Sequence, residues 1–274
     1  MGTTRPAAFD PAAVRPYWLG EGPAGALLLH GFASTPPELR GIGEALAAAG
    51  FRVFAPALAG HATTPEALEP TGWREWAESA AAALEALERE CPAVAVVGQS
   101  MGGTLALHLA ATRSEVRAVV TLAAPLWLRD WRLRVLPAVR GAMRWHIPSS
   151  DVDLYHPEAI DELLSYPRRP TRSLVELTRL CRRVRRELPA VLAPTLVLHG
   201  GRDGVVDPTN ADEIVGRVSS PVRALYRLER SGHALSVDVD RDVAARLIVD
   251  WLRRYDRPDG DLGLEGSAPP PGSG

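Results

Sequence analysis

The chain contains no lysine: all 31 basic residues are arginine, set against 33 acidic ones, for a formal net charge of -2. So even a balance excludes the strongly basic footprint by which a protein holds nucleic acid or another polyanion. Cysteine is also scarce, with only Cys91 and Cys181 in 274 residues. Neither sits in a CxxC pair or a Cys/His cluster, which argues against a structural zinc site and for free thiols in a reducing compartment. No run of about 18 apolar residues exists, so no helical membrane span is expected. Residues 1–20 lack the apolar stretch behind a basic start that a secretory signal requires. A cytoplasmic location is therefore expected, and the oligomeric state is left open.

What is present is an ordinary globular composition, 46% apolar and 23% charged. Short apolar runs alternate with longer helical patterns, which predicts an α/β fold with a mainly parallel central sheet and helices on both faces. Strands are expected over residues 26–29, 51–55, 94–97, 116–122, 195–199 and 222–228. Helices are expected over 36–49 (ending at Gly50), 73–89, 101–111 and 240–255, with a loop over 60–70. Between Pro125 and Pro194 the alternation stops, and two helical patterns, 157–166 and 171–188, suggest a small helical cap inserted over the sheet. The expected organisation is an N-terminal segment 1–23, a core of 24–125 and 191–255, the cap 126–190, and a disordered tail 256–274 rich in Pro and Gly. The cap holds 13 Arg and 8 acidic residues, a balance of +5 that leaves -7 for the remainder. Its run Arg182, Arg183, Arg185, Arg186 reads as a solvated helix face, because Leu177, Leu180, Val184 and Leu188 supply an apolar side between the charges.

The chemistry centres on Gly98-Gln99-Ser100-Met101-Gly102. In a chain with 24 glycines this pattern alone is weak, but here it follows an apolar strand and opens a helix. That is the context of a nucleophile elbow, where a serine is thrust out at the carboxyl edge of a sheet. A serine hydroxyl needs a base. Downstream, Asp203 lies just past the strand 195–199, and His233 follows the strand 222–228, giving the chain order Ser, acid, His. Asp207 is a rival acid in the same loop, but it precedes Pro208 and reads as the start of the next helix. Asp238 and Asp240 follow His233 and fall outside that order. His30, His108 and His199 read as packing residues, His146 and His156 as surface residues, and His61 as structural or lining a site entrance. Two backbone N–H groups suit an oxyanion hole, those of Met101 and of Phe32 in His30-Gly31-Phe32.

Together with Ala193-Pro194-Thr195 and Ser231-Gly232-His233, these motifs make the chain resemble the α/β-hydrolase superfamily, and within it the small bacterial carboxylesterases related to monoacylglycerol lipases. The resemblance spans about residues 24–255 and departs from the family at Gly60-His61-Ala62, where relatives usually carry Gly-His-Gly, and at Gln99, where many carry His or Leu. It implies an α/β-hydrolase fold and a serine carboxylic-ester hydrolase working through an acyl-enzyme on short to medium acyl esters or monoglycerides. Ser100 would be the nucleophile, Asp203 the acid, His233 the base, with Phe32 and Met101 as oxyanion donors and no metal or organic cofactor. Leu126, Trp127, Leu133, Leu136 and Leu174 could face the acyl chain or equally form the core of the cap. The partner expected is a small-molecule ester. The same triad serves acyl-thioesterases, peptidases and carbon–carbon bond hydrolases, and a non-catalytic ligand-binding member of the fold is a further alternative. Dehalogenases and epoxide hydrolases of this fold use Asp where Ser100 stands.

Overall fold

The structure, a computed structural model, describes residues 13–128, 144–147 and 153–255. Its centre is a seven-stranded sheet built from β1 (Tyr17–Leu19), β2 (Ala24–Leu29), β3 (Phe51–Ala55), β4 (Ala93–Gln99), β5 (Val116–Leu122), β8 (Thr195–Gly200) and β9 (Arg223–Leu228), in the spatial order β1-β3-β2-β4-β5-β8-β9. Only β1 runs antiparallel, against β3. The other pairings are parallel. This is the mainly parallel sheet that the alternation predicts.

Every residue of β2, β4 and β8 is buried, as expected of strands covered on both faces. Side chains alternate between the two faces. Ala26, Leu28, Ala95, Val97, Val120, Leu196 and Leu198 meet α1 (Arg40–Ala48) and α7 (Arg241–Leu252). Leu27, Leu29, Val94, Val96, Val119 and Val197 meet α3 (Trp73–Glu88), α4 (Met101–Thr112) and α5 (Thr171–Glu187). A one-residue slip in any inner strand would exchange these sets, so the register is fixed by packing as well as by the ladders. The edge strand β9 is less buried and presents Arg223 and Arg227, charges that discourage pairing with another chain.

Several elements differ from the sequence reading. The segment before residue 24 contributes β1, a strand too short to show a period. The expected loop 60–70 contains α2 (Pro65–Leu68), one helical turn with Pro65 at its start and the Thr64 hydroxyl accepting the Ala67 N–H at 3.2 Å. The pattern 36–49 divides into a 3-10 turn, Pro36–Leu39, followed by α1, and Gly50 ends it with a φ of +92°.

Between β5 and β8 lie the two-stranded pair β6 (Trp145–His146) and β7 (Arg169–Pro170), a 3-10 helix at Pro157–Glu162, and α5. The apolar side of α5, with Leu174, Leu177, Leu180, Cys181 and Val184, belongs to the same core cluster as α3 and α4. Arg182, Arg183, Arg185 and Arg186 are all exposed on its other side. Leu133 and Leu136 of the expected cap, and the expected tail 256–274, lie outside the described residues. Cys91 and Cys181 are both buried free thiols. Burial pushes the Cys181 thiol up to about 12, so it stays protonated and inert at neutral pH. Among the described residues no helix is long and apolar enough to cross a membrane.

Candidate active site

Because β2, β4, β8 and β9 run parallel, their carboxyl ends share one edge of the sheet, where ligands bind in open α/β folds. Gly31 and Phe32 follow β2, Ser100 follows β4, Asp203 lies just past β8, and His233 lies just past β9.

Ser100 sits between β4 and α4 with φ +54° and ψ -120°. A non-glycine residue here is strained by about 1–3 kcal/mol, so its surroundings must hold it. They do so on both sides. The Ser100 N–H donates to Leu122 O at 2.8 Å, and the Ser100 carbonyl accepts the Thr104 N–H at 3.1 Å. The two motif glycines answer to space. A Cβ on Gly98 would come within 2.1 Å of Gly102 O, and one on Gly102 within 1.9 Å of Leu29 O. Neither gap admits a side chain, so the elbow can close only with glycine at both positions.

Ser100 Oγ lies 2.9 Å from His233 Nε2, and His233 Nδ1 lies 2.9 Å from Asp203 Oδ2. Asp203 is nearly fully buried, and its Oδ1 accepts the N–H groups of Val205 and Val206, each at 2.8 Å. His199 Nε2 lies 3.1 Å from Asp203 Oδ2 and 3.2 Å from Val206 O, so it donates into the same corner. Burial works against the Asp203 charge. The adjacent His233, the hydrogen bonds from His199 and His233, and the Val206 N–H outweigh it and hold the carboxyl well below the usual carboxylate range. An ionised Asp203 only accepts, so His233 carries its proton on Nδ1 and turns a bare Nε2 toward the Ser100 hydroxyl. Burial pulls His233 down, but Asp203, then Glu38 and Asp153, outweigh it and raise its pKa above the ordinary imidazole value.

The N–H groups of Phe32 and Met101 donate to no group among the described residues. Met101 opens α4, where the first N–H groups have no partner in the helix and the dipole favours negative charge. Gly31 packs directly on the nucleophile: a Cβ there would lie 3.5 Å from Ser100 Cβ. Its carbonyl accepts from His30 Nδ1 at 2.9 Å, and His30 Nε2 accepts the Leu58 N–H at 3.2 Å. Burial lowers His30 to about 4, and burial with the neighbouring His30 lowers His61, so both stay neutral. With Phe32 and Trp76 they form a ring cluster, at centroid distances of 5.0 to 6.1 Å, that backs the oxyanion loop.

The structure thus brings Ser100, Asp203 and His233 together, with the Phe32 and Met101 backbones beside them. Asp207 starts α6 (Thr209–Arg217), accepting the Thr209 N–H at 3.0 Å. Asp238 and Asp240 secure the His233 loop from behind, through Gly232 N–H at 2.7 Å and the Ser231 hydroxyl at 3.0 Å. Leu126 and Leu174 are buried in the core cluster. The Leu126 and Trp127 N–H groups both donate to Asn210 Oδ1, and the Trp127 ring lies under the Arg185 guanidinium at 5.3 Å. Sequence reading missed Glu38, whose carboxylate accepts the Gly31 N–H at 3.0 Å. It also missed Asp153, whose Oδ2 accepts the N–H groups of Gly204 at 2.9 Å and His233 at 3.0 Å. Asp153 gives no local signal. Glu38 gives a faint one, an acidic residue inside the otherwise apolar Pro36-Pro37-Glu38-Leu39.

Comparison with known proteins converges on one group. A family model described as serine aminopeptidase, S33, matches residues 23–240. A thermostable monoacylglycerol lipase of Bacillus sp. (strain H-257) is 31% identical over 250 residues, covering 89% of this chain and 96% of that protein. A carboxylesterase of Bacillus subtilis (strain 168) is 26% identical over 244 residues, covering 88% and 97%. A solved structure from work on LipS and LipT, two metagenome-derived lipolytic enzymes, superposes with a TM-score of 0.84 at 27% identity, covering 88% of this chain and 98% of that one.

Proposed function

This chain belongs to the α/β-hydrolase family described as serine aminopeptidase, S33, and we propose that it is a serine carboxylic-ester hydrolase. The reading rests on one observation above all: Ser100, His233 and Asp203 aligned at 2.9 Å and 2.9 Å on the carboxyl edge of the sheet. The relatives that are monoacylglycerol lipase, carboxylesterase and lipolytic enzyme point to esters over peptides.

In this reading His233 Nε2 takes the Ser100 proton as Oγ attacks the ester carbonyl carbon. The oxyanion that forms is met by the Phe32 and Met101 N–H groups, with the α4 N-terminus beneath it. As the intermediate collapses, the protonated His233 gives its proton to the departing alcohol. Water, deprotonated by the same His233, then attacks the acyl-Ser100 ester, and as that intermediate collapses His233 returns the proton to the departing Ser100 Oγ and the acid is released. Asp203 stays ionised throughout and holds the imidazole in its Nδ1–H form. Residues 126–190 are proposed to act as the cap that selects the acyl chain, with Leu126, Trp127 and Leu174 in its wall, and the substrates are short to medium acyl esters or monoglycerides. Two buried free thiols favour a cytoplasmic setting.

The test is turnover of p-nitrophenyl esters, monoglycerides and acyl-thioesters by one preparation, alongside labelling with a fluorophosphonate probe. Ester turnover with Ser100 labelled, and loss of at least about 10³-fold in kcat in Ser100→Ala, is the expected result. Retained ester hydrolysis in Ser100→Ala overturns the mechanism. Preferred turnover of thioesters moves the substrate class and leaves the mechanism standing.

A further inference from the structure

Gln99 is 1% exposed and adjoins Ser100, yet it takes no part in the proton transfer. Its Nε2 donates to Glu38 Oε1 at 2.7 Å, and its Oε1 accepts the Ser236 N–H at 2.9 Å. Glu38, itself 7% exposed, accepts the Gly31 N–H at 3.0 Å with its other oxygen, Oε2. These groups form one unbranched chain, from Gly31 N–H through Glu38 and Gln99 to Ser236 N–H. Gly31 immediately precedes Phe32, Gln99 immediately precedes Ser100, and Ser236 follows His233 by three residues. One buried chain therefore ties the oxyanion loop, the nucleophile elbow and the loop of the base.

We propose that Glu38 and Gln99 are positioning residues, a relay that sets the Phe32 N–H in register with Ser100 and His233. This rests on the ester-hydrolase reading above and adds the support of its oxyanion hole. The hydrogen-bond logic is restrictive. Both ends of the chain are backbone N–H groups, which can only donate. The two side chains between must accept at the outer ends, and one of them must donate to the other. A carboxylate beside an amide satisfies all three links. Two amides leave a donor facing a donor, and two carboxylates leave an acceptor facing an acceptor. Which position carries the carboxylate does not matter to the hydrogen bonds: with Gln at 38 and Glu at 99, the Gln oxygen takes Gly31 N–H, its NH₂ donates to the Glu, and the second Glu oxygen takes Ser236 N–H.

The order-blind logic supplies the test. Glu38→Gln, Gln99→Glu, the double exchange and Ser100→Ala are assayed with p-nitrophenyl butyrate, and each is melted thermally. Each single exchange is expected to lower kcat by about 10- to 100-fold with KM within about threefold, because a displaced oxyanion donor affects the transition state more than the bound ester. The double exchange is expected to return kcat to within about threefold of the parent. Single variants as active as the parent overturn the relay. So does a double variant no more active than the poorer single one, whatever its melting temperature. Ser100→Ala reports separately: hydrolysis retained there overturns the nucleophile, whereas its loss beside unaffected Glu38 and Gln99 variants overturns only the relay.

Discussion

At the scale of single residues, the site is organised by what Asp203 accepts. Its Oδ1 takes two backbone N–H groups and its Oδ2 takes His233 Nδ1, with His199 Nε2 beside it. Asp203→Asn keeps one oxygen, which the Val205 and Val206 N–H groups would claim. The amide NH₂ would then face two ring nitrogens. His233 could meet it only by moving its proton to Nε2, where it can no longer accept from Ser100. A fall in kcat of about 10³- to 10⁴-fold is expected, as for loss of the acid in other triads. The pH profile follows in sign. The base must be neutral, and Asp203 helps raise the His233 pKa against burial, so kcat/KM should fall as the pH drops through a limb above about 6.5. In Asp203→Asn that limb should move lower. A parental limb below the ordinary imidazole value, or an unmoved limb in the variant, would count against Asp203 as the partner of His233. The depressed Asp203 carboxyl also stabilises the fold above the ordinary carboxylate range, a contribution lost as the pH falls through that range toward the lower folded value.

At the scale of elements, the loop Gly60-His61-Ala62 carries an avoidable strain. Ala62 has φ +56°, in the left-handed region where a Cβ costs about 1–2 kcal/mol and glycine costs nothing. Ala62→Gly should therefore raise stability by up to about 1 kcal/mol, the relief being offset in part by the freer unfolded chain. Thermal melting checks it, and a lower melting temperature would show that the loop needs its methyl group. The same loop is held by the Tyr166 hydroxyl, which donates to Gly60 O at 3.0 Å. The inner strands β2, β4, β5 and β8 were legible because a strand buried on both faces reads as an apolar run. Ser100 and Asp203 were legible because each sits just past such a run, and His233 because it follows the expected strand 222–228 in the order Ser, acid, His. The rest was hidden for physical reasons. β1 has three residues and β6 and β7 two each, below the length at which a period of two can show. The Gln99–Glu38 bond joins residues 61 apart, and the bond from His233 N–H to Asp153 spans 80. Such pairings arise only when the sheet order is set, and nothing local in the sequence announces a buried carboxylate.

At the scale of the whole molecule, the segment between β5 and β8 is fastened to the catalytic loops as well as to the core. The Tyr166 N–H donates to Ala33 O at 2.8 Å and the Thr35 hydroxyl to Leu164 O at 3.1 Å, gripping the oxyanion loop. Asp153 grips the other side through the N–H groups of Gly204 and His233, beside the acid and at the base. A single oxygen, Oδ2, takes both of these bonds, which makes two substitutions informative. Asp153→Asn can place its amide oxygen in the same spot and keep both bonds. Asp153→Ala removes both side-chain bonds; the His233 N–H keeps its 3.3 Å bond to the Asp153 carbonyl and the exposed Gly204 N–H turns to water, so the loss should cost about 0.5–1.5 kcal/mol. Activity should follow the bonds: near-parental kcat in Asp153→Asn, and lower kcat together with a lower urea midpoint in Asp153→Ala. The charge adds a separate signature. Burial raises the Asp153 pKa, so its neutral form is favoured in the fold. That contribution is complete below the ordinary carboxylate pKa and is lost as the pH rises through the raised value. The urea midpoint of the parent should therefore fall relative to Asp153→Asn as the pH rises through that window. If Asp153→Ala matches Asp153→Asn in both kcat and midpoint, the fastening of this segment at Asp153 contributes nothing, and its hold on the site rests on Leu164 and Tyr166.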